Sequence, residues 1–405
     1  MKTTSPFVVA AIAAVIPGLA LAQSDNGNAR QPVDRGPANA DYQPAFPEQA
    51  RAPKLEATEV AIETFAEGLE RPWGIAPLPG GGYLVTERPG RLRHVSPEGE
   101  VHGPISGLPE IDARKQGGLL DVTLSPDFAA DRMVYFTYAK PVDGGVATAA
   151  ARGTLSDDMT ALENVEDIFV QGPPSDAPMH YGSRITFDGE GHVFITTGEH
   201  FTDKNRQLAQ ELDNTYGKVV RLNPDGTVPE DNPFVGQEGE DAIWSYGHRN
   251  IQGAAIQPAT GDYWTIEHGP AGGDELNRPT PGANYGWPKV SYGIRYDGDS
   301  VGIGEPRAEG IEEPVYYWDP VIAPGGMAFY EGNAFEGWAG DLVIASLNPG
   351  EVVRLDIDEE GRVVGEEALA GGNGRVRDVE IAEDGSVLFL IDSEAGAILR
   401  MSPKG

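Results

Sequence analysis

The sequence predicts an all-β protein, a six-bladed β-propeller built from four-stranded antiparallel sheets. A pattern of two apolar strands separated by a polar turn recurs six times between residues 73 and 391. The 405 residues include 53 glycines and 33 prolines, which favours short strands and turns over long helices. The chain is also too long for one hydrophobic core, which stops growing at about 250–300 residues. Radial repetition of small sheets accounts for all three observations, and a pair of β-sandwiches is the alternative.

Each copy of the repeat has an alternating apolar stretch, a Pro/Asp/Gly turn and a second apolar strand. The six copies begin at Trp73, Gly118, Arg184, Gly253, Gly326 and Arg377. Their mean spacing of about 61 residues exceeds the roughly 40–50 residues of the shortest propeller repeats. The excess predicts loop insertions of about ten to twenty residues per copy. Further strands are predicted at Lys218–Leu222, Glu351–Ile357 and 397–401.

Two segments with a different composition precede the repeats. Met1–Ala22 combines Lys2, an apolar stretch and a small-residue cleavage site, which predicts a signal peptide rather than a membrane anchor. Residues 23–58 are polar and rich in proline and alanine, which predicts a flexible leader. Residues 59–405 are then expected to form the propeller that carries the site. The signal peptide predicts a periplasmic location if the source is a Gram-negative bacterium.

The charge balance restricts the partners of the chain. With 30 lysines and arginines against 63 aspartates and glutamates, the formal net charge is −33. Cleavage after Ala22 removes Lys2 and no acid, so the net charge of the mature chain becomes −34. Such a surface repels nucleic acid and anionic lipid and suits divalent cations. The chain has no cysteine, which excludes disulfides and cysteine zinc sites.

A loop rich in glycine, proline and acids covers residues 264–288 and follows the second strand of the fourth copy. Gly269 and Pro270 begin a turn in which backbone carbonyls can point inward, and Asp274 and Glu275 add carboxylates. Calcium takes six to eight oxygen ligands in flexible geometry, so the loop is a candidate calcium site. An acidic surface turn is the alternative interpretation.

Four other loops have unusual polar content, and each precedes the same point of a repeat. They are residues 114–118, 179–182, 246–253 and 375–378. Equivalent positions in the blades of a propeller lie at the same end of the channel, so these loops are expected to form one site.

Two kinds of side chain in these loops indicate chemistry. Arg249, Arg375 and Arg377 are a concentration of cations in an acidic chain and suit a carboxylate-bearing ligand, although they could instead pair with neighbouring acids. His180 can act as a general base, or it could serve only as a hydrogen-bonding residue. The chain has no Gly-x-Ser-x-Gly elbow, P-loop or His-Glu-x-x-His motif, which disfavours a triad or zinc hydrolase.

Six ordered motifs together resemble one enzyme family over about residues 65–401. They are QGGLLDV (116–122), HYGSR (180–184), GHRNIQG (247–253), EHGPAGGDE (267–275), NYGWP (284–288) and RVRDV (375–379). The chain resembles the soluble pyrroloquinoline quinone (PQQ)-dependent aldose sugar dehydrogenases, the glucose/sorbosone dehydrogenase family. The resemblance implies a six-bladed propeller that uses PQQ and calcium to oxidise aldoses at the anomeric carbon to aldonolactones.

The same resemblance implies roles for individual residues. His180 would be the base that takes the proton of the anomeric hydroxyl while hydride passes to PQQ. Arg249 would stabilise negative charge on the quinone oxygen. The other residues implied to hold PQQ are Gln116, Asn250, Tyr296, Arg375 and Arg377.

The resemblance also implies two calcium sites in the glycine-rich loop. The carbonyls of Gly269 and Pro270 would hold a catalytic calcium. Glu275 and the backbone of Tyr285 would hold a structural calcium, with Asp274 assisting.

Two positions depart from the pattern of the family. Asn348 stands where the family often has a lysine, and Met179 stands where glucose dehydrogenases have an acid. Asn348 leaves room for a non-catalytic sugar- or protein-binding propeller, Met179 implies a substrate range that differs from glucose, and a calcium-dependent lactone hydrolase is a third alternative. For the dehydrogenase we expect an aldose substrate, an external electron acceptor, no membrane insertion, and a monomer or homodimer.

Overall fold

The computed structural model of the chain describes Met1 and residues 30–405. The predicted signal peptide, 1–22, lies outside the described residues apart from Met1. Among the described residues, no helix has the length and apolar character needed to cross a membrane.

Residues 30–405 contain 24 strands, which form six separate four-stranded antiparallel sheets. The predicted fold class, a six-bladed β-propeller, is confirmed.

The first strand, β1, is Val60–Leu69. Blade 1 consists of β2 (Pro72–Pro77), β3 (Tyr83–Glu87), β4 (Arg91–Val95) and β5 (Val101–Ile105). Blade 2 consists of β6 (Leu119–Leu124), β7 (Met133–Val142), β8 (Gly145–Leu155) and β9 (Leu162–Val170). Blade 3 consists of β10 (Gly182–Phe187), β11 (Val193–Thr197), β12 (Lys218–Leu222) and β13 (Ile243–Tyr246).

The remaining three blades follow in chain order. Blade 4 consists of β14 (Ile251–Ile256), β15 (Tyr263–Glu267), β16 (Asp274–Asn277) and β17 (Tyr316–Trp318). Blade 5 consists of β18 (Pro324–Phe329), β19 (Leu342–Ser346), β20 (Glu351–Ile357) and β21 (Val363–Leu369). Blade 6 consists of β22 (Val376–Ile381), β23 (Val387–Ile391), β24 (Gly396–Pro403) and β1. The short helices are α1 (Phe128–Asp131), α2 (Asp203–Gln207) and the 3-10 turns Pro47–Gln49 and Leu208–Gln210.

The predicted repeats coincide with the two inner strands of every blade. The outer strand of blade 6, like most third and fourth strands of the other blades, was not assigned individually by the repeat pattern, and it comes from the other end of the chain. Strand β1 pairs antiparallel with β24, from Val60 opposite Pro403 to Leu69 opposite Gly396. This pairing closes the ring of blades.

Hydrophobic cores lie between neighbouring blades. One core joins Leu84 and Leu92 of blade 1 to Val122 and Phe136 of blade 2. Burial of such side chains stabilises each by about 1.5–3 kcal/mol relative to exposure, so adjacent blades hold each other together.

The innermost strand of all six blades carries a register shift at the same height. In β10, for example, the shift lies between Gly182 and Ile185, and in β22 between Val376 and Val379. The other four shifts are in β2, β6, β14 and β18. A β-bulge at such a shift changes the direction of the side chain that it carries, and in these strands it turns polar side chains toward the propeller axis.

Buried charges meet on that axis. Arg184 Nη1 lies 2.9 Å from Asp121 Oδ1 and 3.0 Å from Asp378 Oδ2, and its Nε donates to the carbonyl of Gln252 at 2.6 Å. The guanidinium also lies 4.4 Å from the ring centre of Trp73. One arginine therefore links blades 1, 2, 3, 4 and 6.

Two insertions enlarge the end of the propeller where the inner strands begin. The segment between β11 and β12 carries α2, and the segment between β16 and β17, residues 278–315, is the longest interstrand connection in the described chain. Residues 30–58, predicted as a leader, lie along the outside of blades 4 and 5.

We expect Gly326→Ala to destabilise the protein by about 1–3 kcal/mol or more, because overpacking a closed core costs that much. A Cβ on Gly326 would overlap Asp378 Oδ1 and lie 2.6 Å from Arg184 Nη2. Urea denaturation measures the change as a lower midpoint. Gly371→Ala is the matched control, since a Cβ there meets nothing within 4 Å and Gly371 does not have a positive φ. Equal midpoints for the two variants would show that the axis can absorb a methyl group.

Candidate active site

A cavity of ≈ 240 Å³ opens at the end of the axis where the inner strands begin. Its lining includes residues from all six blades: Trp73, Arg88, Gln116, Leu120, Met179, His180, Tyr181, Gly182, Phe201, Arg249, Asn250, Gln252, His268, Tyr296, Leu347, Arg375 and Arg377. The structure therefore brings together the four polar loops that the repeat pattern placed at one end. Gln116, His180, Arg249, Asn250, Tyr296, Arg375 and Arg377 all line this one cavity.

His180 is held in an unusual backbone conformation. Its φ is 47°, in the left-handed region, which costs a non-glycine residue about 1–3 kcal/mol and is concentrated at functional sites. The amide of His180 donates to Gln116 Oε1 at 2.8 Å, and its carbonyl accepts from the amide of His200 at 3.3 Å. These bonds from two neighbouring loops fix the position of the imidazole.

The imidazole of His180 has a carboxylate partner that the sequence analysis did not identify. Its Nδ1 lies 3.1 Å from Glu199 Oε2, and both side chains are buried. The same oxygen of Glu199 also accepts from the amide of Phe201, whose ring meets the imidazole edge-on at 5.2 Å. A carboxylate on Nδ1 favours the tautomer with its proton there, which leaves Nε2 with a free lone pair.

The electrostatics of this pair suit a base. Burial lowers the pKa of His180 below its ordinary value, Arg249 adds to that effect, and Glu199 opposes it. Burial would raise the pKa of Glu199, but the interactions with His180, Arg249 and the amide of Phe201 together outweigh it, and the pKa lies below the ordinary value. The pair is therefore a neutral imidazole held by an ionised carboxylate near neutral pH.

Arg249 is positioned by two residues at the end of β15. Its amide donates to Glu267 Oε2 at 2.5 Å, and its Nη1 donates to the carbonyl of His268 at 2.9 Å. The guanidinium lies 5.1 Å from the ring centre of Trp287, and Nη2 reaches the hydroxyl of Tyr296 at 3.4 Å. Its buried Nε has no hydrogen-bond partner within the described chain. One donor thus remains for a ligand.

A group of cations lies on the opposite side of the cavity. Arg375 and Arg377 both approach Asp392 Oδ2, at 3.4 and 3.3 Å, so the side chains project together as strand alternation predicts. Arg377 is buried, which lowers its pKa to about 10, and its Nη1 donates to Gln252 Oε1 at 3.0 Å. Burial also lowers the pKa of Arg88.

The cavity is therefore strongly cationic. Pairing with Asp392 accounts for part of the arginine cluster, but it supplies one carboxylate for Arg88, Arg375 and Arg377. Four arginines and no carboxylate are among the residues that line the cavity. In a chain of net charge −33, this arrangement favours a ligand with several negative charges.

The turn 269–273 lies beside Arg249. The carboxylate of Asp274 shapes this turn by accepting from the amides of Gly269, Ile322 and Ala323 at 2.7–2.8 Å. Burial raises the pKa of Asp274 to about 7, although these bonds lower it. The carbonyls of Gly269 and Pro270 accept no hydrogen bond from any described residue, so both oxygens are available.

A second, much smaller cavity of ≈ 10 Å³ lies behind that turn and is lined by Glu267, Glu275, Gly269 and Tyr285, among others. Burial and the nearby Glu267 raise the pKa of Glu275 well above its ordinary value. The carbonyl of Tyr285 also accepts no hydrogen bond from the described residues. The described part of the chain has no cluster of three or more His, Cys, Asp or Glu that could hold a metal. A cation here would need backbone carbonyls as well as carboxylates.

The positions that depart from the family pattern lie at different depths. Met179 lines the cavity, whereas Asn348 is exposed and its neighbour Leu347 lines the cavity instead. Tyr296 is 70% exposed and stands at the rim.

Several functional residues were missed in the sequence. Glu199, Glu267 and Asp392 share one position, at or just after the end of the second strand of a blade. An acid recurring at that point of the repeat is the signal that could have identified them.

Three comparisons with known proteins agree with this geometry. The sequence model of the family described as Glucose / Sorbosone dehydrogenase matches residues 69–400. The aldose sugar dehydrogenase YliI of Escherichia coli (strain K12) is 41% identical over 356 residues, which cover 85% of this chain and 93% of that protein.

Solved structures are also similar. The apo form of the soluble aldose sugar dehydrogenase from Escherichia coli has a TM-score of 0.82 at 40% identity, covering 85% of this chain and 100% of that one. The PQQ-bound form of the aldose sugar dehydrogenase from Streptomyces coelicolor has a TM-score of 0.72 at 28% identity, covering 86% and 99%. The chain therefore belongs to the glucose/sorbosone dehydrogenase family of sugar-oxidising enzymes, as its motifs predicted.

Proposed function

We propose that this chain is an exported, PQQ- and calcium-dependent dehydrogenase that oxidises the anomeric carbon of aldose sugars to aldonolactones. The observation that carries the proposal is a buried His180, oriented by Glu199, that lines a cavity with four arginines. Export through the segment Met1–Ala22 is part of the proposal, supported by its sequence alone.

The cavity fits PQQ by its charge. Arg88, Arg375 and Arg377 would face the carboxylates of PQQ, and the unpartnered Nε atoms of Arg249 and Arg377 would gain acceptors. Gln116, Asn250 and Tyr296 would complete the contacts from three other loops.

Calcium fits the turn beside this cavity. The free carbonyls of Gly269 and Pro270 would hold a catalytic ion, with Asp274 fixing the turn from behind. Glu275 and the carbonyl of Tyr285 would hold a structural ion in the small cavity, where a cation would stabilise two adjacent carboxylates.

The protein's own residues would handle the proton. His180 Nε2 takes the proton of the C1 hydroxyl as the hydride leaves C1, so that the carbon–oxygen single bond becomes the carbonyl of the lactone. Glu199 stabilises the imidazolium that forms, as a buried carboxylate does for other histidine bases. When bound, PQQ would supply the two-electron acceptor for the hydride, and calcium would polarise the quinone oxygens as a Lewis acid.

Arg249 would stabilise the negative charge that develops on the cofactor. Its guanidinium is fixed by Trp287 and the carbonyl of His268 before any substrate binds. A preorganised donor of this kind is worth about 3–4 kcal/mol, judged by the loss of single oxyanion-hole donors in other enzymes.

The alternative function is a non-catalytic binding propeller, for which the exposed Asn348 leaves room. A binding protein needs neither the strained backbone of His180 nor its buried carboxylate partner, so these features favour the enzyme.

Reconstitution tests the proposal directly. We expect the purified apoprotein, given PQQ and calcium, to reduce a redox dye with at least one aldose from a panel, because the cavity is preformed for an anionic cofactor. A thermal shift on PQQ addition checks binding separately from turnover. The absence of both results, dye reduction with any sugar and a thermal shift with PQQ, would refute the dehydrogenase.

We expect His180→Gln to lower kcat by about 10²–10⁴-fold, the usual contribution of general acid–base catalysis, while PQQ affinity stays nearly constant. Steady-state kinetics measures the first quantity and calorimetric titration of the apoprotein with PQQ the second. His102→Gln, at an exposed position of blade 1, is the control and should match the wild type. Normal turnover by His180→Gln would disprove the base assignment.

The pH dependence tests the role of Glu199. Because the base must be neutral, kcat/KM should fall as pH drops through the pKa of His180, which lies below the ordinary value of 6.5. Glu199→Gln removes the charge that raises the pKa of His180, so the acid limb of the profile, the fall of kcat/KM on the acidic side, should move to lower pH. We also expect kcat to fall, by less than the roughly 10²–10⁴-fold loss expected on removal of the base itself.

The control for this profile is Glu190→Gln, an exposed residue of the same blade. An acid limb that stays in place in Glu199→Gln would show that Glu199 does not act on the titrating group.

A further inference from the structure

Residues 30–58, here named the strap, lie outside the region 69–400 that the family model matches. One end of the strap is fixed to blade 5 by Arg35, which pairs with Glu351 at 2.7 Å and Glu366 at 2.6 Å. Its middle contacts the loops of blade 4 through residues 39–49. These middle contacts, unlike the Arg35 pairs, reach side chains close to the turn 269–273.

The first contact is with Asp319, immediately after β17. The amide of Asn39, its side-chain amide and the amide of Ala40 all donate to the Asp319 carboxylate at 2.7–2.8 Å. That carboxylate packs against the turn, since a Cβ on Gly272 would lie 2.5 Å from Asp319 Oδ1. The strap therefore fixes the Asp319 carboxylate, against which Gly272 packs.

The second contact is made by Gln49, which is fully buried. Its Nε2 donates to Glu313 Oε2 and to the carbonyl of Pro314, both at 3.0 Å. The hydroxyl of Tyr292 donates to Glu313 Oε2 at 2.5 Å and lies 3.1 Å from Gln49 Oε1, and the Tyr292 ring stacks on Tyr317 at 4.1 Å. Gln49 thus packs between the two ends of the segment 292–314, which the bond from Tyr292 to Glu313 also joins.

Tyr292 is connected to the turn through the chain that follows it. Ile294, two residues after Tyr292, exchanges two backbone hydrogen bonds with Ala271 of the turn, at 2.9 and 3.0 Å. The intervening Gly293 lies so close that a Cβ there would overlap the carbonyl of Gly272. The position of Tyr292 is therefore transmitted to Ala271, which directly follows Gly269 and Pro270.

We propose that the strap positions the turn 269–273, and that Gln49 and Asn39 are the positioning residues through which it acts. Asp274 holds the amide of Gly269, but the carbonyls of Gly269 and Pro270 accept no hydrogen bond from the described residues, and the glycines of the turn allow its backbone several conformations. The strap supplies a further constraint from outside the blade. The consequence for calcium affinity rests on the proposed function of Gly269 and Pro270.

The test uses two variants of the full mature chain, Gln49→Leu and the milder Asn39→Ala, whose side chain is exposed. In metal-free protein, hydrogen exchange at the amides of Ala271 and Ile294 should be several-fold faster than in the wild type. The apparent Kd for calcium, from calorimetric titration, should rise about 10-fold, as for the loss of supporting contacts around other metal sites. Arg30→Ala is the control, because within residues 30–405 the Arg30 side chain pairs with Glu56 of the strap itself and with nothing else.

The outcomes separate the inference from the function on which it rests. Unchanged exchange in both variants would overturn the positioning role, even if the wild type binds calcium. Faster exchange with unchanged calcium affinity would also overturn it, since the turn would then not need the strap to bind the ion. A wild type that binds no calcium would refute the proposed metal sites, while the exchange rates would still decide whether the strap holds the turn. If Gln49→Leu does not fold, Asn39→Ala decides alone.

Discussion

The buried ion cluster on the propeller axis is the constraint on which the rest of the structure depends. Arg184 of blade 3 lies where six inner strands converge, and its two carboxylate partners come from blade 2, which is next to its own, and from blade 6, across the axis. Taking these charges out of water costs several kcal/mol per ion, so the cluster is stable only while every contact is made. This requirement fixes the heights of the inner strands relative to each other.

The heights of the inner strands relative to each other determine the geometry of the cavity. Gln252, whose carbonyl accepts from Arg184, uses its side chain to bind both Arg377 and the carbonyl of Gly182. Arg377 of blade 6, which lines the cavity, and the loop of His180 in blade 3 are thereby held at a fixed distance. Positions next to the cluster are occupied by glycine because no Cβ fits there.

The sequence predicted the fold and most of the cavity because both follow from periodicity. Apolar alternation located the inner strands, and equivalent loop positions brought Gln116, His180, Arg249 and Arg377 together. The recurring acid of the repeat marks the position of Glu199, but periodicity could not reveal that it pairs with His180, since that contact depends on side-chain direction at two loops in which His180, His200 and Phe201 have left-handed backbones. Nor could it assign β1 to the last blade, because that pairing joins residues more than 300 positions apart.

The pairing of β1 with β24 has a consequence for how the chain folds. Closing a ring between residues 60 and 403 requires the largest loop closure that this chain offers, and the synthesis of its last strand must be complete first. Until then β1 has no partner strand, and the axial charges have no sealed interior to occupy. The ring of blades therefore closes last, after the blades before it have received all their strands.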